Sequence, residues 1–304
     1  MSDPWKVDQP IKEENIINES ERDSANPEND EYKVVKLEDN GKFSEAFIRD
    51  RQEFTFDESG TFTVPDWGDE LIVEAWGAGA SGGAVGFTST SSNGVASGGS
   101  AGEYARLLLN KRIFNSGDTI PVVIGEGGGA VTSSGAATGS NGGQTKFGEF
   151  VIVNGGNGGQ TSAGDLIDRS VSNRSGNRSA STNDDDILPT IIENARGSFG
   201  GGASVLWSEN IASATDGESG DILPGGGGGA AKRTTTSGAA GLGGASVLAG
   251  KGGNGAFSLT TSVTASNGES PGGGGGAAVG RGGATSGAGA SGRVKVTVLS
   301  RIGT

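Results

Sequence analysis

Eleven tracts of glycine and other small residues run through positions 77–283, from GAGASGG and GGSAG through two copies of PGGGGG to a final GRGG. They constrain the fold more than any other feature. A residue without Cβ fills no core, but it lets backbones approach one another closely. Glycine supplies 60 of the 304 residues, against a usual share of about 7%. The hydrophobic fraction is 32%, below the ordinary ~45–50%. An apolar core sized to the whole chain is therefore excluded, and something else must fill the interior. Collagen is excluded too, because there is no strict Gly-X-Y period and only 8 Pro. A flexible linker does not fit tracts that alternate with strand signals.

These features predict extended left-handed helices of the polyglycine type, with three residues per turn and no internal hydrogen bonds. Stacked side by side, they would satisfy each other's N–H and C=O groups. Ordering a residue costs roughly 1–2 kcal/mol of backbone entropy, and a net hydrogen bond contributes only ~0.5–1.5 kcal/mol. Only a cooperative stack would hold. The expected fold class is mainly β with extended polyglycine-type helices. A small β-sheet is closed by the first and last body strands, glycine-rich loops pack between, and an N-terminal arm is extended.

Composition breaks near residue 53. Residues 1–53 contain one glycine, Gly41, and carry 15 acids and 8 bases, a net charge of −7. They are expected to form an acidic arm, and residues 54–304 a glycine-rich β domain with a long insert at about 160–223. Residues 8–31 are polar and acidic, which predicts extended chain. In YKVVKLEDNGKFSEAFIRDR, Val34, Val35 and Leu37 suggest a short strand, and Asp39-Asn40-Gly41 a turn. Ser44 is placed to cap a short helix presenting Phe47 and Ile48. In the body, strands are expected at 54–56, 61–64, 71–76, 103–109, 119–124, 149–153 and 293–299. The last, RVKVTVL, alternates valine with polar residues.

The stretch ELIVEAWGAGASGG places Gly77, Gly79 and Gly82 at dinucleotide-fingerprint spacing. That fingerprint needs a helix after the glycines and an acid on a second strand. The chain continues instead with GAVGFTSTSSNGVASGG, which is no helix, and Glu103 opens a strand. A P-loop is absent, since Gly250-Lys251 precedes Gly252. There is no His and no Cys, so zinc and thiol chemistry lack their ligands. The Asp184-Asp185-Asp186 run lacks the alternating pattern of a calcium loop. No enzyme activity, catalytic residue, metal or cofactor is expected. A net charge of −13 argues against nucleic acid as a partner. No apolar run is long enough to span a bilayer. MSDPWKVDQPIKEE has no signal-peptide core, so synthesis in a cytoplasm is expected, with release by lysis or another route.

Several motifs resemble those of a known family. Trp76-Gly77-Ala78-Gly79, Gly102-Glu103-Tyr104-Ala105, Gly117-Asp118-Thr119-Ile120, Lys146-Phe147-Gly148 and the ending PGGGGGAAVGRGG…SGRVKVTVL occur in order. Over 54–159 and 271–299 they resemble the glycine-rich domain of bacteriophage tail-fibre and tail-tip proteins. VVKLEDNGKFSEAFI is similar to a segment near the N-termini of phage fibre and baseplate proteins. The resemblance implies a virion protein made in the host cytoplasm. Its arm would dock on other virion proteins through Val34, Val35, Leu37, Phe43, Phe47 and Ile48. It also implies a homo-oligomer, a trimer being favoured, and either a host-surface adhesin or a non-adhesive baseplate, collar or capsid-attached component.

Loops at 84–97, 160–199, 208–223, 231–237 and 256–270 are rich in Ser, Thr and Asn. On a rigid body they are candidates to contact a host glycan or outer-membrane protein. Phe87, Arg174, Arg178, Trp207 and Phe257 are the candidate contact residues. The alternative is that these loops only connect elements and that Trp207 packs in the β core.

Overall fold

The computed structural model describes residues 51–88, 93–110, 112–163, 169–173, 190–193, 201–208, 211–214, 216–217, 219, 225–233 and 236–300, with two short strands at 16–17 and 34–35. The chain divides into two compact units, Met1–Asp50 with Ser300–Thr304, and Arg51–Leu299. In the first, Ile16–Ile17 pairs in parallel with Val34–Val35. Leu37, Phe43, Phe47 and Ile48 lie outside the described residues.

The second unit is built on two facing sheets. One has five strands in the order Thr190–Glu193, Tyr104–Asn110, Glu70–Trp76, Arg293–Leu299, Arg51–Phe56. The last strand therefore lies between the first, Arg51–Phe56, and Glu70–Trp76, antiparallel to both. The other sheet has the order Val151–Val153, Thr145–Phe147, Thr119–Val123, Gly60–Thr63. Period-two alternation puts Leu71, Val73, Val294, Val296 and Val298 inside. They meet Phe62, Ile120, Val122 and Phe147 from the opposite sheet in one apolar cluster. The Phe62 ring stands edge-on to Phe54 at 5.3 Å and lies 5.7 Å from Phe147. At the solvent edge Lys295 Nζ lies 3.0 Å from Glu53 Oε2. Lys295, and after it Arg51, hold the Glu53 carboxyl below its usual range. A depressed carboxyl stabilises above its unfolded pKa and loses this as pH falls through the folded value. Acid should therefore loosen the pairing of the first and last strands, and Glu53→Gln should remove that share of the acid sensitivity of the melting temperature.

The glycine segments leave the ends of these strands, and main-chain bonds order them. Within 77–83, Ala78 and Ser81 donate to Gly143 and Ser140. Gly79 and Gly82 donate to Ala290 and Gly287, and Ala80 and Gly83 to Ser100 and Ser97. The same segment accepts bonds from Gly128, Gly156, Gly159 and Gly275. One backbone segment is thus tied to several others, which it can approach because side chains are absent. A Cβ at Gly79, Gly82, Gly158 or Gly252 would lie much closer than 3.0 Å to a neighbouring carbonyl oxygen.

The structure corrects the expectation of extended polyglycine helices. Among the described residues there is no helix. The tracts are non-helical backbone between short strands, which form several small sheets beyond the two large ones. The physical reason lies in the residues with side chains that interrupt the tracts, among them Val85, Val95, Lys232 and Val279. Ala84–Phe87, Gly94–Ala96, Ala231–Arg233 and Ala278–Arg281 register as ladders. Order inside the tracts comes from bonds between segments; in 77–83, residues three apart donate to the same neighbouring segment.

Candidate functional site

Several glycine segments connect a strand of the large sheets to a short strand at the far end. There the chain turns and comes back. Thus Glu70–Trp76 leads through 77–83 to Ala84–Phe87, and Gly94–Ala96 returns through 97–103 to Tyr104–Asn110. Thr119–Val123 leads to Thr132–Ser133, and Ala136–Ala137 returns to Thr145–Phe147. Phe87 and the turns at 134–135, 258–262 and 282–283 gather at this end. Gly282 donates to Phe87 O at 2.7 Å, Gly86 to Gly135 O at 2.6 Å and Val263 to Gly283 O at 3.3 Å. The sharp turn after Arg281 needs glycine, because Gly282 and Gly283 have φ of 82° and 143°.

Hydroxyl groups at these turns are exposed, and those of Thr132 and Thr261 are held by hydrogen bonds. Thr260, Thr261 and Ser262 are exposed, as are Thr132 and Ser134. Ser258 Oγ accepts from the amide of Thr261 at 3.0 Å and lies 2.9 Å from Thr261 Oγ1. Ser133 Oγ accepts from the Gly135 amide, and Thr132 Oγ1 lies 3.0 Å from Thr285 Oγ1. Such a surface offers oriented donors and acceptors for polar groups.

The predicted contact residues fare differently. Phe87 is a correction: it is 6% exposed and packs with Val85, Ala96, Ala231 and Val279. Its ring occupies the space over Gly94 that a Cβ would need. Phe257 is exposed at its edge and lies over Gly238. Trp207 falls in the Gly201–Ser208 strand, its side chain outside the described part. Arg174 and Arg178 also lie outside the described residues.

Sequence reasoning missed Lys232 and Arg233, which are fully buried in the Ala231–Arg233 strand. The available signal was their position as the only charged residues in 222–250. Burial pushes the Lys232 ammonium below its usual pKa. Burial, and then the charge of Arg281, does the same for Arg233. The Arg233 Cζ stands 5.2 Å from the Phe87 ring centroid. A desolvated cation–π contact contributes about 2 kcal/mol, less than the several kcal/mol lost on burying an ion.

A concavity of about 630 Å³ on the large-sheet end is lined by Phe114, Ile120, Val123, Lys146 and Phe150. None of the predicted contact residues line it. Among the described residues no acidic cluster could hold a metal, and no helix is long and apolar enough to cross a membrane.

A body of sheets and mutually bonded glycine segments, presenting turns at one end, defines a glycine-rich β scaffold. The chain belongs to the glycine-rich domain family, whose match spans residues 55–299. No curated protein matches the chain.

Proposed function

We propose that the chain is a phage virion protein of the tail-fibre or tail-tip type, anchored by its N-terminal arm and adhering to the host surface through the turn end of its glycine-rich body. The observation that carries this reading is where the chain enters and leaves the body. Arg51 and Leu299 are paired neighbours in the five-strand sheet. Both connections to the rest of the chain therefore leave from the large-sheet end. The far end is left to turns carrying ordered hydroxyls. Function placed on loops of a rigid scaffold follows the same logic. The arm supplies the link to other virion proteins and to further copies of the chain, with a trimer expected.

The test uses the fluorescently labelled full chain on bacterial cells. Saturable binding is expected. A variant combining Thr132→Ala, Ser134→Ala, Thr260→Ala and Thr261→Ala should bind at least about tenfold more weakly, with an unchanged melting temperature. Immunogold microscopy should find the protein on particles. Presence on particles without cell binding would instead favour a non-adhesive baseplate, collar or capsid-attached component. Absence from particles would overturn the virion reading.

A further inference from the structure

Arg233 is a buried cation whose donors are not satisfied. It is 1% exposed, and its Nε and Nη1 have no hydrogen-bond partner. No ion pair joins it to a carboxylate among the described residues. A protein interior tolerates such a group only with a strong reason.

Its neighbours are arranged around it. Arg233 is paired across the ladder with Gly94, and Phe87 with Arg281 on the neighbouring sheet. Gly94 leaves room for the Phe87 ring, which in turn faces Arg233. A second guanidinium, Arg281, lies close enough for its charge to act on Arg233. Arg281 is partly exposed and the adjoining Gly282 is exposed, so solvent reaches Arg281, behind which Arg233 is buried. Asn93, next to Gly94, has a buried Oδ1 that also lacks a partner.

We propose that Arg233 and Arg281 form a binding site for an oxyanion carried by a polyhydroxylated ligand, namely the carboxylate or phosphate group of an acidic surface sugar. An oxyanion supplies the acceptor oxygens that guanidinium forks are shaped to take two at a time. It also screens the repulsion between the two arginines. The site deepens the adhesive reading and rests on it for the source of the ligand, whereas the anion chemistry stands on the residues themselves.

The experiment uses the full chain at constant ionic strength in chloride. Glucuronate, inorganic phosphate and glucose are titrated by calorimetry and thermal melting. Glucuronate and phosphate should bind and raise the melting temperature, and glucose should do neither. Tighter binding of glucuronate would assign the site to sugar carboxylates, and tighter binding of phosphate to sugar phosphates. Arg233→Met should abolish the effect, and Arg281→Gln should weaken it about tenfold. Lys251→Gln, an exposed cation elsewhere, should change nothing. Arg281→Gln decides the matter should Arg233→Met fail to fold. No response to either anion, or an equal response in Arg281→Gln, overturns the site. The two readings separate on cells. Undiminished cell binding by Arg281→Gln would sink the site as a receptor contact and leave adhesion standing. Anion binding without cell binding would do the reverse.

Discussion

Gly79→Val should unfold the glycine-rich body, while Gly129→Ala should leave it intact. Both residues sit in glycine tracts, and sequence alone does not separate them. Gly79 is buried, donates to Ala290 O at 2.8 Å and accepts from Gly128 at 2.9 Å. A Cβ there would be driven into the Gly273 carbonyl. The obstacle is main chain, which has no rotamer to change. Relief requires the 77–83 and 272–277 segments to separate, and each is bonded to further segments. Overpacking in ordinary cores destabilises by about 1–3 kcal/mol. Here lost hydrogen bonds of about 1 kcal/mol each add to it, against a domain stability of about 5–15 kcal/mol. Gly129 is exposed, has ordinary φ and would meet nothing within 4 Å. Its replacement by alanine should raise stability by about 0.4–1 kcal/mol by restricting the unfolded chain. Urea denaturation followed by circular dichroism checks both. Equal tolerance at the two sites would mean that close backbone packing does not hold the body together.

The large sheets were legible in the sequence, and the reason is side-chain alternation. RVKVTVL and ELIVEAW each put every second residue into one apolar layer, and that pattern is visible without coordinates. Ala84–Phe87 gave no such signal because all four of its residues are buried. With neighbours on both faces, it has no alternation to read. Phe87 therefore looked like an exposed tip, whereas the missing side chain of Gly94 made a place for its ring inside. Lys232 and Arg233 were missed for a related reason. Cations are ordinarily exposed, and only the ladders around Ala231–Arg233 bury this pair. The strand Thr190–Glu193, from within the insert, pairs with Tyr104–Asn110, a long-range register that local pattern does not encode. The tracts announced close backbone packing. Which segment bonds to which depended on contacts far apart in the chain.

Phe62→Ala should destabilise the turn end as much as the sheets that contain Phe62. The residue is 1% exposed, between the rings of Phe54, Phe56 and Phe147. Truncating a buried phenylalanine costs about 3–5 kcal/mol, a large part of what such a domain has. The glycine segments have little apolar surface of their own, and their bonds are made only when several segments stand together. The two facing sheets set that arrangement by fixing the ends from which the segments start: 77–83 follows Glu70–Trp76, and 286–292 precedes Arg293–Leu299. If the whole body is one cooperative unit, the amides of Gly229 and Gly253, which donate to Gly253 O and Gly274 O far from Phe62 in sequence, exchange with solvent only through global unfolding. Their hydrogen-exchange protection should then fall by the same free energy as the denaturant stability. Protection that survives Phe62→Ala at those amides would show a glycine body that is stable without its sheets. Equal loss would show that a small apolar core at one end keeps the turns at the other end in place.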